Sequence, residues 1–376
     1  MRITIVQGAF LPVPPIMGGA VEKVWQGLGR EFAARGHEVL HLSRRHPRLP
    51  HEETAAGVRH LRVSGFAQPR SLVALKLKDL LFSLAVRRRL PPADILVSNT
   101  FWLPLVARRP DRGRLVVHVA RFPRGQMRYY RHAACLQTVT NTVARAIEAE
   151  LGAGPRPRVT VIPYPISHRS ARLPDPLERT PTVLYTGRLH PEKGLELLLF
   201  AWRRAAPHLP GWRLRIVGPW RAEHGGGGPD FLALLRAEAA GQPVDFVEPI
   251  FSADALAHEY RTASLFVYPS LAARGETFGL APLEAMAFGL PPIVSALECL
   301  RDFVEPEHNG LVFDHDDGNA AGELAERLVR LAGDHELRAR LAAAAWQTTA
   351  HHTEGAIAET FLAEFESLLH SPLPTR

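Results

Sequence analysis

Glu276 and Glu284 stand eight positions apart in "ETFGLAPLEAMAFG", with Gly279 and Pro282 between them. Two carboxylates near a helix start can cap the free amides of its first turn, or accept hydrogen bonds from a polyhydroxylated ligand. Pro282 predicts the first helical turn, because proline lacks the amide hydrogen that is unpaired there. Glu284 would then fall near the third helical position and cap the helix without any ligand. Glu276, in the preceding "ARGETFG" loop, would simply face water. The alternative uses both acids, with Glu284 on a ribose diol and Glu276 on sugar hydroxyls. Spacing along the chain sets no separation in space, so the pair is not read as a glycosidase acid and base.

The cations that would complement such a ligand occur in "TGRLHPEKG". This stretch follows an apolar strand pattern and precedes a helical one. Gly187 can open the turn, Arg188 and Lys193 can neutralise two oxygens of a diphosphate, and Gly194 permits a close helix start. The competing reading is a solvated turn, with Glu192 as a surface or capping residue. Gly218, in "RIVGP", is a second strand-end glycine, and Gly18 and Gly19 precede the first helix of the chain. Glycine at such places lets a backbone approach a phosphate, although a glycine pair is also common in loops. Neither GxGxxG nor the P-loop pattern is present, which argues against a nicotinamide dehydrogenase and a P-loop nucleotidase.

Positioning these residues requires strand–loop–helix units. "RITIVQGAF" reads as a strand, "AVEKVWQGLGREFAARG" as a helix and "HEVLHLS" as a strand again. "SLVALKLKDLLFSLAVRRRL" and "NTVARAIEAELG" read as helices, and "DILVSN", "RLVVHVA", "ACLQTVT" and "RVTVIPY" as strands. Between Pro163 and Pro181 the apolar periodicity stops and prolines and charges take over, which marks a domain connection. The strand–helix order restarts at "TVLYTGRLHPEKGLELLLFAWRRAA" and runs through "WRLRIVG", "FLALLRAEAAG", "VDFV", "LFVYP", "GLAPLEAMAFG", "PPIVS" and "GLVF". Helical patterns then continue to about Leu369. The expectation is an α/β chain of two layered domains with mainly parallel sheets, residues 1–165 and 166–355, and a final helix over 356–376 whose crossing back to the first domain spacing alone does not show. Ligands of such domains bind beyond the carboxyl ends of the strands.

Composition narrows the classes further. The chain has 376 residues, 46% of them hydrophobic, and a formal net charge of +7. A positive balance suits phosphates or an acidic surface, but the basic residues are dispersed, with no arginine-rich tail or zinc-finger spacing to suggest nucleic acid. Two cysteines, Cys135 and Cys299, make neither a disulfide framework nor a four-thiolate metal site, so a reducing, cytoplasmic setting and no metal are expected. No apolar run reaches the ~18 residues of a membrane span.

Several motifs taken together resemble retaining glycosyltransferases of family 4. "ETFGLAPLEAMAFG" resembles their Glu–seven residues–Glu motif, including Phe278, Gly279, Pro282, Ala285 and Gly289. "GRLHPEKG" resembles their donor-phosphate segment, "PPIMGGAVEKVWQGLGREFAARGHEV" their first glycine loop and helix, and "DFVEPEHNGLVFD" the segment after the donor motif. The matches span Ile3 to Asp314 in order. The resemblance implies two Rossmann-like domains in the GT-B arrangement, with the last helix crossing back to the first, an acceptor-side first domain and a second domain that binds a nucleotide-diphosphate sugar, with UDP the commonest carrier. It implies no cofactor besides that donor. By motif match, Glu284 binds the ribose, Glu276 the donor sugar, and Arg188 and Lys193 the diphosphate. Gly18, Gly19, Gly187, Gly218, Phe278, Gly279 and Leu280 fall in the donor-binding segments. The implied reaction transfers a hexosyl unit with retention to a carbohydrate or lipid-linked saccharide, as in polysaccharide or glycoconjugate assembly. A sugar-nucleotide epimerase and a non-catalytic sugar-nucleotide-binding protein are the alternatives.

On the acceptor side, His118 in "LVVHVARFPRGQMRYYRH" matches a family histidine that lines the donor-sugar pocket, although Val119 replaces the more common following aspartate. Arg121, Arg124 and Arg128 could receive an anion, and Tyr129 and Tyr130 could stack on sugar rings. A charged surface loop fits the same five residues. In "SLVALKLKDLLFSLAVRRRL", Leu72, Leu75, Leu80 and Leu84 could form an apolar side, with Lys76, Lys78 and Arg87–Arg89 meeting anionic headgroups on the inner face of the cell membrane. The same leucine spacing suits a helix packed on a sheet.

Overall fold

The computed structural model describes residues 1–69, 71–175, 178–250 and 252–371. It divides into two units. One comprises Met1–Ser167 with the terminal segment from Glu354, and the other His168–Thr353.

The first unit holds β1 (Arg2–Val6), α1 (Ala20–Ala34), β2 (Glu38–Arg44), β3 (Glu52–Ala55), β4 (Val58–Val63), α2 (Leu72–Arg87), β5 (Ile95–Ser98), α3 (Leu103–Val106), β6 (Arg114–Val119), β7 (Cys135–Thr138), α4 (Asn141–Leu151) and β8 (Arg158–Val161). Its eight strands lie in the order β3-β4-β2-β1-β5-β6-β7-β8. All neighbours are parallel except β3 and β4, an antiparallel hairpin at the edge. One face packs Leu40, Leu42, Leu61, Val63 and Leu96 against Phe82, Val86 and Leu90 from and just after α2. The other face carries Ile5, Val39 and Val58, which approach Gly29 of α1. Coverage of both faces explains why β1 and β5, apart from Thr4 and Ser98, are apolar along their buried lengths rather than alternating.

The second unit holds β9 (Thr182–Thr186), α5 (Leu195–Ala205), β10 (Arg213–Val217), α6 (Pro229–Glu238), β11 (Val244–Val247), α7 (Ala253–Thr262), β12 (Leu265–Tyr268), α8 (Leu280–Ala287), β13 (Pro292–Ser295), β14 (Leu311–Phe313), α9 (Ala320–Gly333) and α10 (His335–Thr348). Its six strands are parallel, in the order β11-β10-β9-β12-β13-β14. From β9 the chain builds outward through β10 and β11, then returns to the other side of β9 as β12. The direction reverses there, so a crevice opens at the carboxyl ends of β9 and β12.

The last helix, α11 (Glu354–His370), belongs to the first unit. Its Phe361 and Phe365 lie 6.4 and 5.8 Å, centroid to centroid, from Phe32 of α1. Four elements escape the sequence patterns: β3, β4, α3 and α7. β3 is polar over Glu52, Glu53 and Thr54, and β4 sets Arg59, His60 and Arg62 among its apolar residues. In α7 the polar run "ADALAHEYRT" buries only Ala257, Glu259 and Tyr260. Among the described residues no helix is long and apolar enough to cross a membrane.

Candidate functional site

The strand ends of the second unit gather the acids and cations. After β9 the chain turns through Gly187 and Arg188 into a short 3-10 turn, Pro191–Lys193, and Gly194 then caps α5. After β12 it passes Ser270 and Glu276 before α8 begins. The two loops meet. Lys193 Nζ lies 2.6 Å from Glu276 Oε2, with only 6% and 8% of the two residues exposed. Tyr268, the last residue of β12, accepts from Lys193 at 3.0 Å and donates to Glu276 at 2.7 Å. Ser270 Oγ donates to the same carboxylate oxygen at 3.3 Å. A buried charge pair needs such additional hydrogen bonds to offset desolvation. Burial, with Glu276 beside it, holds the Tyr268 hydroxyl in its protonated form.

Arg188 is held differently. Its guanidinium donates to Glu192 Oε1 and to the Gly225 carbonyl oxygen, each at 2.7 Å, and stays 41% exposed at the side chain. Glu192 thus orients a cation of the site instead of capping a helix or facing water alone.

Glu284 corrects the sequence reading. Gly279 is the N-cap of α8, with φ 84°, and the helix begins at Leu280. Pro282 is therefore the third helical residue and Glu284 the fifth, beyond the turn in which a side chain can cap. The proline is tolerated because its missing N–H is still among the first four that lack a helical acceptor. Glu284 Oε2 accepts from the Tyr260 hydroxyl at 3.2 Å, and Thr186 Oγ1 lies 2.8 Å from the same hydroxyl. This second carboxylate thus stands by the end of β9, half-buried. Phe278 is placed by packing: its ring is buried and lies 5.3 Å from that of Phe303. Only its backbone remains available to the loop, beside Gly279 and Leu280. Gly218 is likewise a packing requirement. A β-carbon there would overlap the Gly187 carbonyl oxygen, so the two strand-end turns close on each other.

In the first unit, Gly18 and Gly19 precede α1, and Gly19 is its N-cap with φ 114°. Two buried or half-buried arginines on neighbouring strands hold the loop before them. Arg44 donates to Phe10 O at 2.6 Å, and Arg62 to Val13 O at 3.1 and 2.9 Å. Glu22, in the first turn of α1, is 8% exposed, and burial raises its carboxyl above the ordinary range. A β-carbon at Gly19 would collide with the Glu22 carboxylate.

His118 lies inside β6 and is buried. Its hydrogen-bond network settles its tautomer. Gln137 Nε2 donates to Thr138 O at 2.6 Å and to Ile162 O at 2.9 Å, so Gln137 Oε1 must face His118 Nδ1 as an acceptor. Nδ1 then carries the proton, and Nε2 accepts from the Tyr164 hydroxyl at 3.0 Å. Burial pulls the imidazole down to about 4, which keeps it neutral. Both ring nitrogens are engaged within the unit, which leaves neither free for a ligand. Of the neighbouring residues, Tyr129 is exposed and lies under Arg128, whereas Tyr130 is buried and donates to Phe101 O at 2.8 Å. Tyr130 is a core residue and not a sugar platform.

Sequence reading missed Tyr268, Tyr260, Ser270 and Thr186 in the second unit, and Glu22, Gln137 and Tyr164 in the first. Tyr268 and Thr186 had one available signal, their place as final residues of apolar strands. Tyr260 had none, because α7 lacks a legible pattern.

Two Rossmann-like units, each with a mainly parallel sheet, fit the GT-B class of fold. The chain matches a sucrose-phosphate synthase from Thermosynechococcus elongatus with a TM-score of 0.80 at 22% identity, over 98% of this chain and 99% of that one. It matches the Anabaena HepE structure in complex with UDP and glucose with a TM-score of 0.68 at 18% identity, over 98% and 100%. The Glycosyl transferase 4-like domain family matches residues 19–165, and the Glycosyl transferases group 1 family matches residues 172–348. The chain belongs to the family 4 glycosyltransferases. Among curated relatives, the D-inositol 3-phosphate glycosyltransferase of Streptomyces bingchenggensis is 34% identical over 174 residues. That alignment takes in 46% of this chain and only 36% of the relative.

Proposed function

We propose that the chain transfers a hexosyl unit from a nucleotide-diphosphate sugar, UDP-linked, to a carbohydrate or lipid-linked saccharide, with retained anomeric configuration. One observation carries the donor assignment: Arg188, Lys193, Glu276 and Glu284 stand at the carboxyl ends of β9 and β12, where the sheet order reverses. In this reading Glu284 accepts from the ribose diol and Glu276 from hydroxyls of the donor sugar. Arg188 and Lys193 stabilise the negative charge that grows on the leaving diphosphate. Charge that develops only in the transition state is where fixed cations lower a barrier most. His118 acts as a neutral positioning residue through Tyr164. The first unit takes the acceptor, with Arg121, Arg124 and Arg128 as the residues for an anionic one. UDP as the carrier is supported by the UDP and glucose in the HepE structure. Two free, buried thiols, Cys135 and Cys299, suit a cytoplasmic setting.

A panel of nucleotide sugars and acceptors, read by mass spectrometry with product stereochemistry by NMR, tests the reading. Acceptor-dependent gain of a hexose with retention is the expected result. An inverted product overturns the retaining assignment. An altered sugar released without any acceptor makes the protein an epimerase, and donor binding with no product across the panel makes it a binding protein.

A further inference from the structure

Helix α2 turns an apolar stripe outward. Val73, Leu77 and Leu81 recur every four residues and are 78%, 56% and 48% exposed, and Leu72 is 68% exposed. The opposite side of the helix is the one the protein uses, with Asp79, Phe82, Ser83 and Val86 buried. Leu75, Leu80 and Leu84, read from the sequence as part of an outward stripe, are half-buried instead.

The charges around the stripe have one sign. At about 100° per residue, Lys76 and Lys78 lie on opposite flanks of Leu77, and Arg88 continues the stripe at its carboxyl end, with Arg87 and Arg89 beside it. Asp79 is the single acid between residues 66 and 90. It is buried, and its carboxylate accepts from the Phe101 and Trp102 amides at 3.1 Å each. Among the described residues, no acid pairs with Lys76, Arg87, Arg88 or Arg89.

We propose that α2 is a docking surface for an anionic lipid bilayer, lying in the plane of the membrane. An apolar stripe flanked by cations matches a surface that offers acyl chains below and negative headgroups at the level of the amines and guanidinia. A second copy of the chain seated on the same face would bring two unpaired cationic sets together, which disfavours it. This surface extends the functional reading and does not depend on the transfer reaction.

Co-sedimentation of the full chain with vesicles decides the matter without an activity assay. Phosphatidylcholine vesicles containing phosphatidylglycerol should retain the protein, and vesicles of phosphatidylcholine alone should not. High salt should release it. Leu77→Glu with Leu81→Glu, at exposed positions that leave the fold intact, should weaken partitioning by about tenfold or more. Arg88→Gln with Arg89→Gln should weaken it on anionic vesicles only. Equal binding to both vesicle types, no binding to either, or double variants that bind like the parent overturn the proposal. A lipid-free dimer dispersed by the Leu77→Glu change gives the face to a second copy and overturns it as well.

Discussion

Lys193 and Glu276, 83 residues apart in sequence, share a buried ion pair 2.6 Å long that Tyr268 bridges from the side. Each charge satisfies the other, and the tyrosine hydroxyl serves both. A donor diphosphate and its sugar would enter a site whose cation and carboxylate are already positioned by one another.

Breaking this pair should be costly. Lys193→Met leaves Glu276 buried without its cation, and the loss should be about 3 kcal/mol. Glu276→Gln strands the ammonium in the same way. The double variant should lose clearly less than the sum of the two. Urea unfolding of all four proteins measures this. Additive losses would show that the two charges do not depend on each other.

Glu284→Gln separates recognition from helix stability. As the fifth residue of α8 it caps nothing, so the urea midpoint should barely move. A lost charge-assisted hydrogen bond to a ribose should raise the Kd for UDP by about tenfold or more. Titration calorimetry reads the affinity. An unchanged Kd removes Glu284 from the nucleotide site, and a large fall in stability at constant affinity restores the capping role.

Gly218→Ala tests the close approach of the two strand-end turns. The added methyl group has backbone on the other side, which cannot swing away as a side chain can. A loss of more than ~2 kcal/mol is expected. Gly333→Ala, at the end of α9 with open space around it, is the control and should be neutral within about 0.5 kcal/mol. Equal effects of the two changes would argue against the clash.

The buried histidine predicts a pH dependence. His118 titrates at about 4 when folded and at about 6.5 when unfolded. Between these values the unfolded chain binds a proton that the native one refuses. The stability is therefore fully present above pH ~6.5 and declines as pH falls toward 4, by on the order of 3 kcal/mol from this residue. His41, pulled down to about 3 by burial, adds to the same slope. Replacing His118 with Asn should flatten the urea-midpoint profile over this range, whatever it does to stability at pH 7. An unchanged slope would mean that the ring already binds its proton in the native state.

Most of the fold was legible because its central strands are buried on both faces. Runs such as Ile95–Val97 and Leu265–Tyr268 are apolar at every position, and such runs are visible in one dimension. The edge hairpin β3–β4 and the helices α3 and α7 were not, since each is held by neighbours more than by its own pattern. The missing α7 hid Tyr260, and with it the partner of Glu284. The start of α8 was misplaced for a local reason: proline suits any of the first positions of a helix, and Gly279 begins this one earlier than Pro282 alone suggests. His118 was found, but its buried state and fixed tautomer depend on Gln137 and Tyr164, which neighbour it only in the folded unit.

The amino-acid sequence by itself determined the order of strands, loops and helices, and put cations after β9 and carboxylates after β12. Tertiary structure decided which of these groups meet. The order β10-β9-β12 brings two distant loops to one crevice and joins Lys193 to Glu276. It also places Glu284, expected as a helix cap, against the Tyr260 hydroxyl of α7, beside Thr186 at the end of β9. Local propensity acts over a few residues, whereas strand order follows from packing both faces of a whole sheet, and no short segment carries that information.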